Sequence, residues 1–123
     1  MMCAVTASAA NADAFYAEVL CNEQVWTVRD DDGFPAPEAD GVRVMPFWST
    51  RNRAEQVIEG VDAYYGFELV ALSLDEWRTR WLPGLRRDGL LVGVNWSGAR
   101  ATRAATTSPP DDVERNLNAR ERN

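Results

Sequence analysis

The run LLVGVNW, residues 90–96, is apolar on both of the faces that a β-strand would present. A strand that borders solvent on one side alternates apolar and polar residues, so this run predicts a central strand that other elements cover on both sides. Gly93 within it indicates a close backbone approach or a bulge. The rest of the chain must therefore supply neighbouring strands and covering helices.

Two strand-like runs lie earlier in the chain, QVWTVRD at residues 24–30 and VRVMPFW at residues 42–48. Both are rich in β-branched and aromatic residues, and the acidic loop DDGFPAPEADG separates them. We expect these two strands to pair as a hairpin, with Pro46 at an edge position or a bulge. A further strand, FELVALS, follows at residues 67–73.

Four segments have the apolar spacing or the capping residues of helices. They begin at Asn11, at Ser49 or Thr50, at Ser73, and at Ser108 ahead of two prolines. The third has the clearest start, because Ser73 and Glu76 form an S-x-x-E capping box. The Pro-Gly pair at residues 83–84 should kink this helix or end it early. Only Val113 and Leu117 could dock the fourth helix, which we expect to be marginal.

The resulting order of elements, αββαβαβα, predicts an α+β fold. We expect one domain, with a mixed, largely antiparallel sheet of about four strands and helices packed on it. We place this domain at residues 10–105. Residues 1–9 are expected to be a frayed terminus, and residues 106–123 a marginal C-terminal helix and tail.

All 13 basic residues are arginine, and the chain contains neither lysine nor histidine. Schiff-base chemistry, a Walker-type lysine, histidine-activated nucleophiles and histidine zinc sites are therefore excluded. The acidic loop lacks the spacing of an EF-hand, which favours a solvated loop. We assign no catalytic residue, no metal ligand and no cofactor, and the sequence favours a protein that is not an enzyme.

The net charge of −6 argues against a nucleic-acid partner, because the chain as a whole repels phosphate. No apolar run approaches the roughly 20 residues of a membrane span. The opening stretch MMCAVTASAANADA lacks the basic and apolar regions of a signal peptide. We therefore expect a cytoplasmic protein without a membrane partner, in which Cys3 and Cys21 are free thiols.

Two of the strand-like runs end in a tryptophan that is followed by a serine, Trp48-Ser49 and Trp96-Ser97. Arginines follow both pairs, and Asn95 precedes the second. An aromatic side chain with a polar tip at a strand end suits a protein interface or a ligand platform. The alternative is that both rings cover the rim of the core, each with its indole N–H bonded to a loop carbonyl.

Arg51 and Arg53 fall in the first turn of the helix that follows Ser49. Positive charge is unfavourable at a helix N-terminus, so these arginines could mark an anion site. The interpretation that we prefer is that Glu55, Glu59 or the acidic loop pairs with them.

Four stretches, VWTVRDDDGFPAP, RVMPFWSTRNRAE, GFELVALSLDEW and WLPGLRRDGLLVGVNWSG, resemble in this order the bacterial domain-of-unknown-function 2750 (DUF2750) family. The likeness covers residues 12–103 and implies a small, stand-alone bacterial protein. It implies no catalytic residues, but it lends weight to a shared surface inside the resembling motifs. The residues concerned are Trp48, Ser49, Asn95, Trp96 and Ser97. The turn at residues 47–54 is also similar to the N-terminal domain of SseB-like proteins and to some immunity-type bacterial domains.

Our leading hypothesis is a non-catalytic protein-binding or regulatory module, in one version an immunity-like protein that blocks a basic partner. The candidate contact residues are Trp48, Ser49, Arg51, Arg53, Asn95, Trp96 and Ser97. Alternatively, the domain binds a small molecule or an anion, or is an enzyme, through Arg51 and Arg53. In a third interpretation the tryptophan–serine motifs only hold the fold together. The identity of the partner and the oligomeric state stay open.

Overall fold

A computed structural model describes residues 11–39, 41–96 and 107–121 of the chain. The strands are β1 (Gln24–Arg29), β2 (Glu38–Ala39), β3 (Val42–Phe47), β4 (Glu68–Ser73), β5 (Leu91–Val94) and β6 (Thr107–Ser108). The helices are α1 (Asn11–Asn22), α2 (Arg51–Gly60), α3 (Leu74–Glu76), α4 (Leu82–Arg87) and α5 (Pro110–Glu121). A 3-10 turn lies at Asp62–Tyr64, and a π-helical turn at Trp77–Trp81. Helices and strands mix along the chain as predicted, and the α+β class is confirmed.

The strands form two sheets. In the larger one the order is β2-β3-β5-β6, with β3 and β5 parallel and the other two pairs antiparallel. The smaller one is the antiparallel pair β1-β4. An antiparallel bridge between Trp26 of β1 and Trp48, the residue after β3, links the two sheets.

The predicted hairpin between β1 and β3 is wrong. β1 pairs along all six of its residues with β4, and the hairpin partner of β3 is the two-residue strand β2. Directly after β1, a tight turn closes where Asp30 and Gly33 exchange two backbone hydrogen bonds of 3.0 Å. The chain is then reversed into β3 by β2, which leaves β3 free to pair in parallel with β5.

The strand β5 is central, as its apolar run predicts, since it lies between β3 and β6 with Val92 and Val94 buried. Its neighbour β3 accommodates Pro46 because of the direction in which that residue faces. The carbonyl of Phe47 accepts a hydrogen bond from Asn95 N, so Phe47 faces β5 and Pro46 faces the opposite side. There β2 has already ended, and the missing proline N–H removes no ladder hydrogen bond.

The capping box at the start of the third predicted helix is confirmed, with Ser73 Oγ accepting a 3.0 Å hydrogen bond from Glu76 N. This helix does not end at the Pro-Gly pair of residues 83–84. It runs without a break through α3, the π-helical turn and α4. The wider π-helical turn ends at Trp81, two residues before the proline, and takes up the break in hydrogen bonding that a proline imposes on a regular helix.

Two clusters of buried side chains form the core. We call the continuous helix of α3, the π-helical turn and α4 the long helix. The larger cluster lies between α1, the long helix, α5 and the two sheets. It includes Phe15, Phe47, Trp77, Val92, Val113 and Leu117. The smaller one lies around α2; it includes Val28, Val44, Trp48, Val57, Tyr64 and Trp96. Val113 and Leu117, the residues that could dock α5, are both fully buried.

The structure bears on two predictions made from composition, the state of the cysteines and the absence of a membrane span. Cys21, which we predicted to be a free thiol, is disulfide-bonded; Cys3 lies outside the described residues. The prediction rested on the redox compartment that we expected for the protein. Whether two cysteines lie close enough to form a disulfide depends on the fold, and their spacing in the sequence does not show it. Within the described ranges, no helix has the length and apolar content that crossing a membrane requires.

Candidate functional site

The two tryptophan-containing runs come together at one end of the β3–β5 pair. These strands are parallel and in register, with Phe47 opposite Val94, so their carboxyl ends deliver residues 48–49 and 95–96 to the same edge. The hydrogen bond from Asn95 N to Phe47 O, 2.9 Å long, continues the ladder beyond β5. The structure thus establishes an adjacency that the sequence left open.

Trp48 is fully buried, and its indole ring is tied to the second run. Its Nε1 donates a 2.8 Å hydrogen bond to the carbonyl oxygen of Trp96, and its backbone exchanges two 2.7 Å hydrogen bonds with Trp26. Its ring also meets the ring of Tyr64 edge-on, with the centroids 6.2 Å apart. Trp48 therefore fills the smaller core cluster and bonds a loop carbonyl, which is the arrangement of the packing alternative.

Trp96 is 3% exposed, and its ring folds back over its own strand. A Cβ atom built on Gly93 would lie 2.4 Å from Trp96 Cζ2, a distance that real Cβ contacts do not reach. Gly93 thus allows a close approach to its backbone, and the group that approaches is a side chain, the indole ring of Trp96. The indole Nε1 of Trp96 has no hydrogen-bond partner within the described part of the chain, so packing holds this ring.

Ser49 and Asn95 form a buried polar pair between the two runs. The side-chain oxygen of Asn95 accepts from Ser49 N at 2.9 Å, and Asn95 Nδ2 donates to Ser49 Oγ at 3.0 Å. Ser49 Oγ donates in turn to a carboxylate oxygen of Glu18 on α1. Asn95 has a φ of 51°, a left-handed conformation that asparagine tolerates better than most residues. We call Trp48, Ser49, Asn95, Trp96 and Glu18 the buried network.

Glu18 carries the buried network on to α2. Arg53 donates from Nε to Glu18 Oε1 at 2.9 Å and from Nη2 to Oε2 at 3.3 Å, a two-pronged contact. Thr50 is the N-cap of α2, and its Oγ1 accepts from Arg53 N at 3.2 Å. Arg51 pairs with Glu55 one helical turn on. Both arginines at the N-terminus of α2 thus have carboxylate partners. The predicted pairing with Glu55 is confirmed for Arg51, whereas the partner of Arg53 is Glu18 of α1, which we did not predict.

Sequence reasoning missed the role of Glu18 and did not include Trp26 among the candidate contact residues. Glu18 precedes the fully buried Val19 on α1, and that position beside a core residue is the only signal that the sequence offers. Trp26 is half-buried, and the guanidinium carbon of Arg51 lies 6.0 Å from its ring centroid. This distance is within the range of a cation–π contact.

A partner can reach only part of this site. The side chain of Arg51 is 66% exposed and that of Arg53 33%, whereas the four candidate residues between them and the core are buried. Those four are Trp48, Ser49, Asn95 and Trp96. In this conformation they can act on a partner only through their neighbours, by positioning Arg53 through Glu18 and Trp26 through its backbone. Ser97 lies outside the described residues, and the contact role of all seven candidates stays a prediction.

The polar groups of the buried network bond one another and offer no reactive group to a substrate. Ser49 lies beside the carboxylate of Glu18, but its hydroxyl is fully buried and bonded to both Glu18 and Asn95. A buried hydroxyl that no substrate can reach is not an available nucleophile. Among residues 11–39, 41–96 and 107–121, no cluster of three or more histidine, cysteine, aspartate or glutamate side chains could hold a metal ion.

The fold and the buried network define a small α+β domain organised around the paired ends of two parallel strands. A family model described as Protein of unknown function (DUF2750) matches residues 12–117, and the chain belongs to this family. The match extends beyond Arg103, where we placed the end of the resemblance, and takes in part of α5. No curated protein matches the chain. The similarity to SseB-like and immunity-type domains stays a prediction.

Proposed function

We propose that this domain is a non-catalytic protein-binding or regulatory module whose contact surface is formed by Trp26, Arg51 and Arg53. The observation that carries the proposal is the exposed guanidinium of Arg51, 6.0 Å from the ring of the half-buried Trp26. Tryptophan and arginine are among the residue types most enriched at binding hot spots. We refer to these three residues as the Trp26–Arg51 surface.

The buried network supports this proposal because it positions two of the three surface residues, while Glu55 pairs with the third, Arg51. Arg53 is held through Glu18, and Trp26 through its backbone bonds to Trp48. A surface that is ordered before binding loses less conformational entropy when a partner docks. The same network argues against catalysis, since it consumes the hydroxyl of Ser49 and leaves no acid–base pair open to a substrate.

The proposed partner is another protein, and charge suggests two ways of meeting it. The Trp26–Arg51 surface suits a partner that presents an apolar group to Trp26 and a carboxylate that competes with Glu55 for the exposed Arg51. In the immunity-like version, the net charge of −6 steers a basic partner toward the domain. A cytoplasmic location belongs to the same proposal. Oxidising compartments favour disulfides such as the one at Cys21, so fractionation of host cells tests the location separately.

The proposal is tested by capture from host lysate with tagged wild-type protein, Arg51→Ala and Arg43→Ala, read by mass spectrometry. Arg43 is a matched control because it is exposed and its side chain forms no ion pair with any described residue. We expect a partner that wild type and Arg43→Ala retain and Arg51→Ala loses. Thermal melting must first show that all three are equally folded. Equal retention by all three proteins, or no enriched partner, contradicts the proposal.

A further inference from the structure

The long helix leaves a small apolar pocket against the larger sheet, and none of the residues that line it belongs to the Trp26–Arg51 surface. Its volume is about 240 Å³. The lining residues include Met45, Trp81, Gly84, Leu85 and Leu90, with Arg80 at the rim. None of these side chains belongs to the buried network.

The sequence builds this pocket with three local devices. The π-helical turn carries Trp81 and leads into α4, where Gly84 has no side chain to fill the space. The chain reverses after α4 through Gly89, whose φ is 74°, and Leu90 N bonds Leu85 O at 2.9 Å. This is the closure of a Schellman motif, which places one lining leucine beneath another.

The aromatic wall of the pocket is held in place by its neighbours. The ring of Trp81 meets Phe34 edge-on with the centroids 5.0 Å apart, and Phe47 edge-on at 6.0 Å. Trp81 is nevertheless only half-buried, because its remaining face borders the pocket. A fixed, partly open aromatic wall is typical of a preformed ligand site.

Arg80 gives the pocket its polar feature. It is exposed, and within the described residues its guanidinium has no carboxylate partner. In contrast, its neighbour Arg78 pairs with a glutamate of α5. The carboxylate of Asp88 also borders the pocket, but it lies 3.5 Å from Arg87 Nε, which offsets its charge. An arginine without a partner thus stands beside an apolar cavity.

We propose that this pocket binds a small apolar carboxylate, with its hydrocarbon part against Trp81 and Leu85 and its carboxylate on Arg80. Ligand pockets usually measure roughly 300–1,000 Å³, so a cavity of about 240 Å³ selects a compound of fragment size. Arginine favours carboxylates because its planar fork makes two parallel hydrogen bonds. A π-helical turn within a helix also frequently marks a functional site. The site is independent of the proposed protein contact.

The test is isothermal titration calorimetry with octanoate as the probe and with octylammonium as a probe of opposite charge. Arg80→Gln removes the cation, and Arg43→Gln is its matched control on the surface. Gly84→Leu places a bulky side chain on a residue that lines the pocket. A Cβ at this position fits without a clash, because the nearest atom, Arg87 Nη2, is 3.8 Å away. Gly60→Leu is its control, because a Cβ there meets nothing within 4 Å.

We expect octanoate to bind wild type and both controls with a dissociation constant below about 1 mM. Binding should weaken at least about tenfold in Arg80→Gln and should be lost in Gly84→Leu, while octylammonium should not bind. Arg80 is exposed, so its variant keeps the proposal testable even if Gly84→Leu does not fold. Three results would overturn the proposal: no octanoate binding to wild type, equal affinities in wild type and Arg80→Gln, or octylammonium binding as tightly as octanoate.

Discussion

The indole ring of Trp96 occupies the space that a side chain on Gly93 would need. A Cβ atom at Gly93 would lie 2.4 Å from Cζ2 and 2.8 Å from Nε1 of this ring. The glycine thereby lets Trp96 fold back over β5. In that position the carbonyl of Trp96 accepts the indole N–H of Trp48, and the two strand ends are joined.

Replacing Gly93 by alanine should disturb this contact. We expect Gly93→Ala to lower the free energy of unfolding by about 1–3 kcal/mol, the usual effect of overpacking, as measured by urea denaturation. The control is Gly60→Ala at the end of α2, where a Cβ meets nothing within 4 Å and helix propensity favours alanine. A Gly93→Ala protein as stable as wild type would show that Trp96 does not lie over this residue.

Trp48 should behave as a core residue that also donates a hydrogen bond. Trp48→Ala should lower the free energy of unfolding by about 3–5 kcal/mol, the range for emptying a buried aromatic site. Trp48→Phe keeps most of the packing and leaves the carbonyl of Trp96 without its donor, so a loss of about 1–3 kcal/mol is expected. Guanidinium denaturation measures both. A loss below about 1 kcal/mol for Trp48→Ala would contradict the packing role.

Asn95 allows the backbone and side-chain contributions of one residue to be separated. Asn95→Gly and Asn95→Ala remove the same side-chain hydrogen bonds to Ser49. Only alanine is strained at the φ of 51° that this position adopts. Asn95→Ala should therefore be less stable than Asn95→Gly by about 1 kcal/mol, as measured by chemical denaturation. If alanine is equally stable or more stable, the left-handed conformation is not retained in solution.

Removing the hydroxyl of Tyr64 should stabilise the fold. This residue is buried, and its hydroxyl has no hydrogen-bond partner among the residues that the structure describes. Removing a buried polar group that lacks a partner relieves its desolvation penalty. Tyr64→Phe should therefore raise the free energy of unfolding at pH 7 by about 1 kcal/mol. Tyr65→Phe, at a position that is 83% exposed, is the matched control and should change nothing.

The ionisation of Tyr64 should also make the stability of the fold depend on pH in the alkaline range. Burial raises the pKa of Tyr64 to about 12 from its ordinary value of 10.0. Between pH 10 and 12 the unfolded chain releases the phenolic proton while the folded chain keeps it. The contribution of this pKa shift to stability is thus complete below pH 10 and is lost as the pH rises toward 12.

The comparison of wild type with Tyr64→Phe isolates this contribution. Over that window wild type should lose about 1–2 kcal/mol more than the variant, measured by urea denaturation at several alkaline pH values. Parallel curves for the two proteins would mean that the hydroxyl is solvated in the folded state.

Local signals in the sequence predicted the local structure well. The capping box at Ser73 begins a helix, the apolar run around Val92 is a central strand, and Gly93 marks a close approach. Each of these depends on neighbours within a few residues or on the burial of both strand faces. The chemistry that sets them is therefore visible in a short window of sequence.

Strand pairing and polar burial were not visible in the same way. Whether β1 pairs with β3 or with β4 depends on which long-range partner buries its apolar face, and several pairings satisfy the same pattern. Glu18 is one polar residue of an amphipathic helix until Ser49 and Arg53 are placed beside it. A motif with the composition of a surface site can for this reason lie mostly in the interior of the fold. Of the described candidates only Arg51 and Arg53 stay accessible, next to Trp26, which was not among them.

The parallel pairing of β3 with β5 also has a consequence for how the chain reaches its native state. Ser49 and Asn95, which meet across that pairing, are 46 residues apart in the sequence. A contact of such long range must overcome the entropy of closing the loop before it contributes stability, which slows folding. On the ribosome, β3 emerges well before its partner strand. Its edge and its apolar side chains stay unpaired until β5 has followed it. Synthesis of this protein therefore includes an interval in which the nascent chain is most exposed to aggregation.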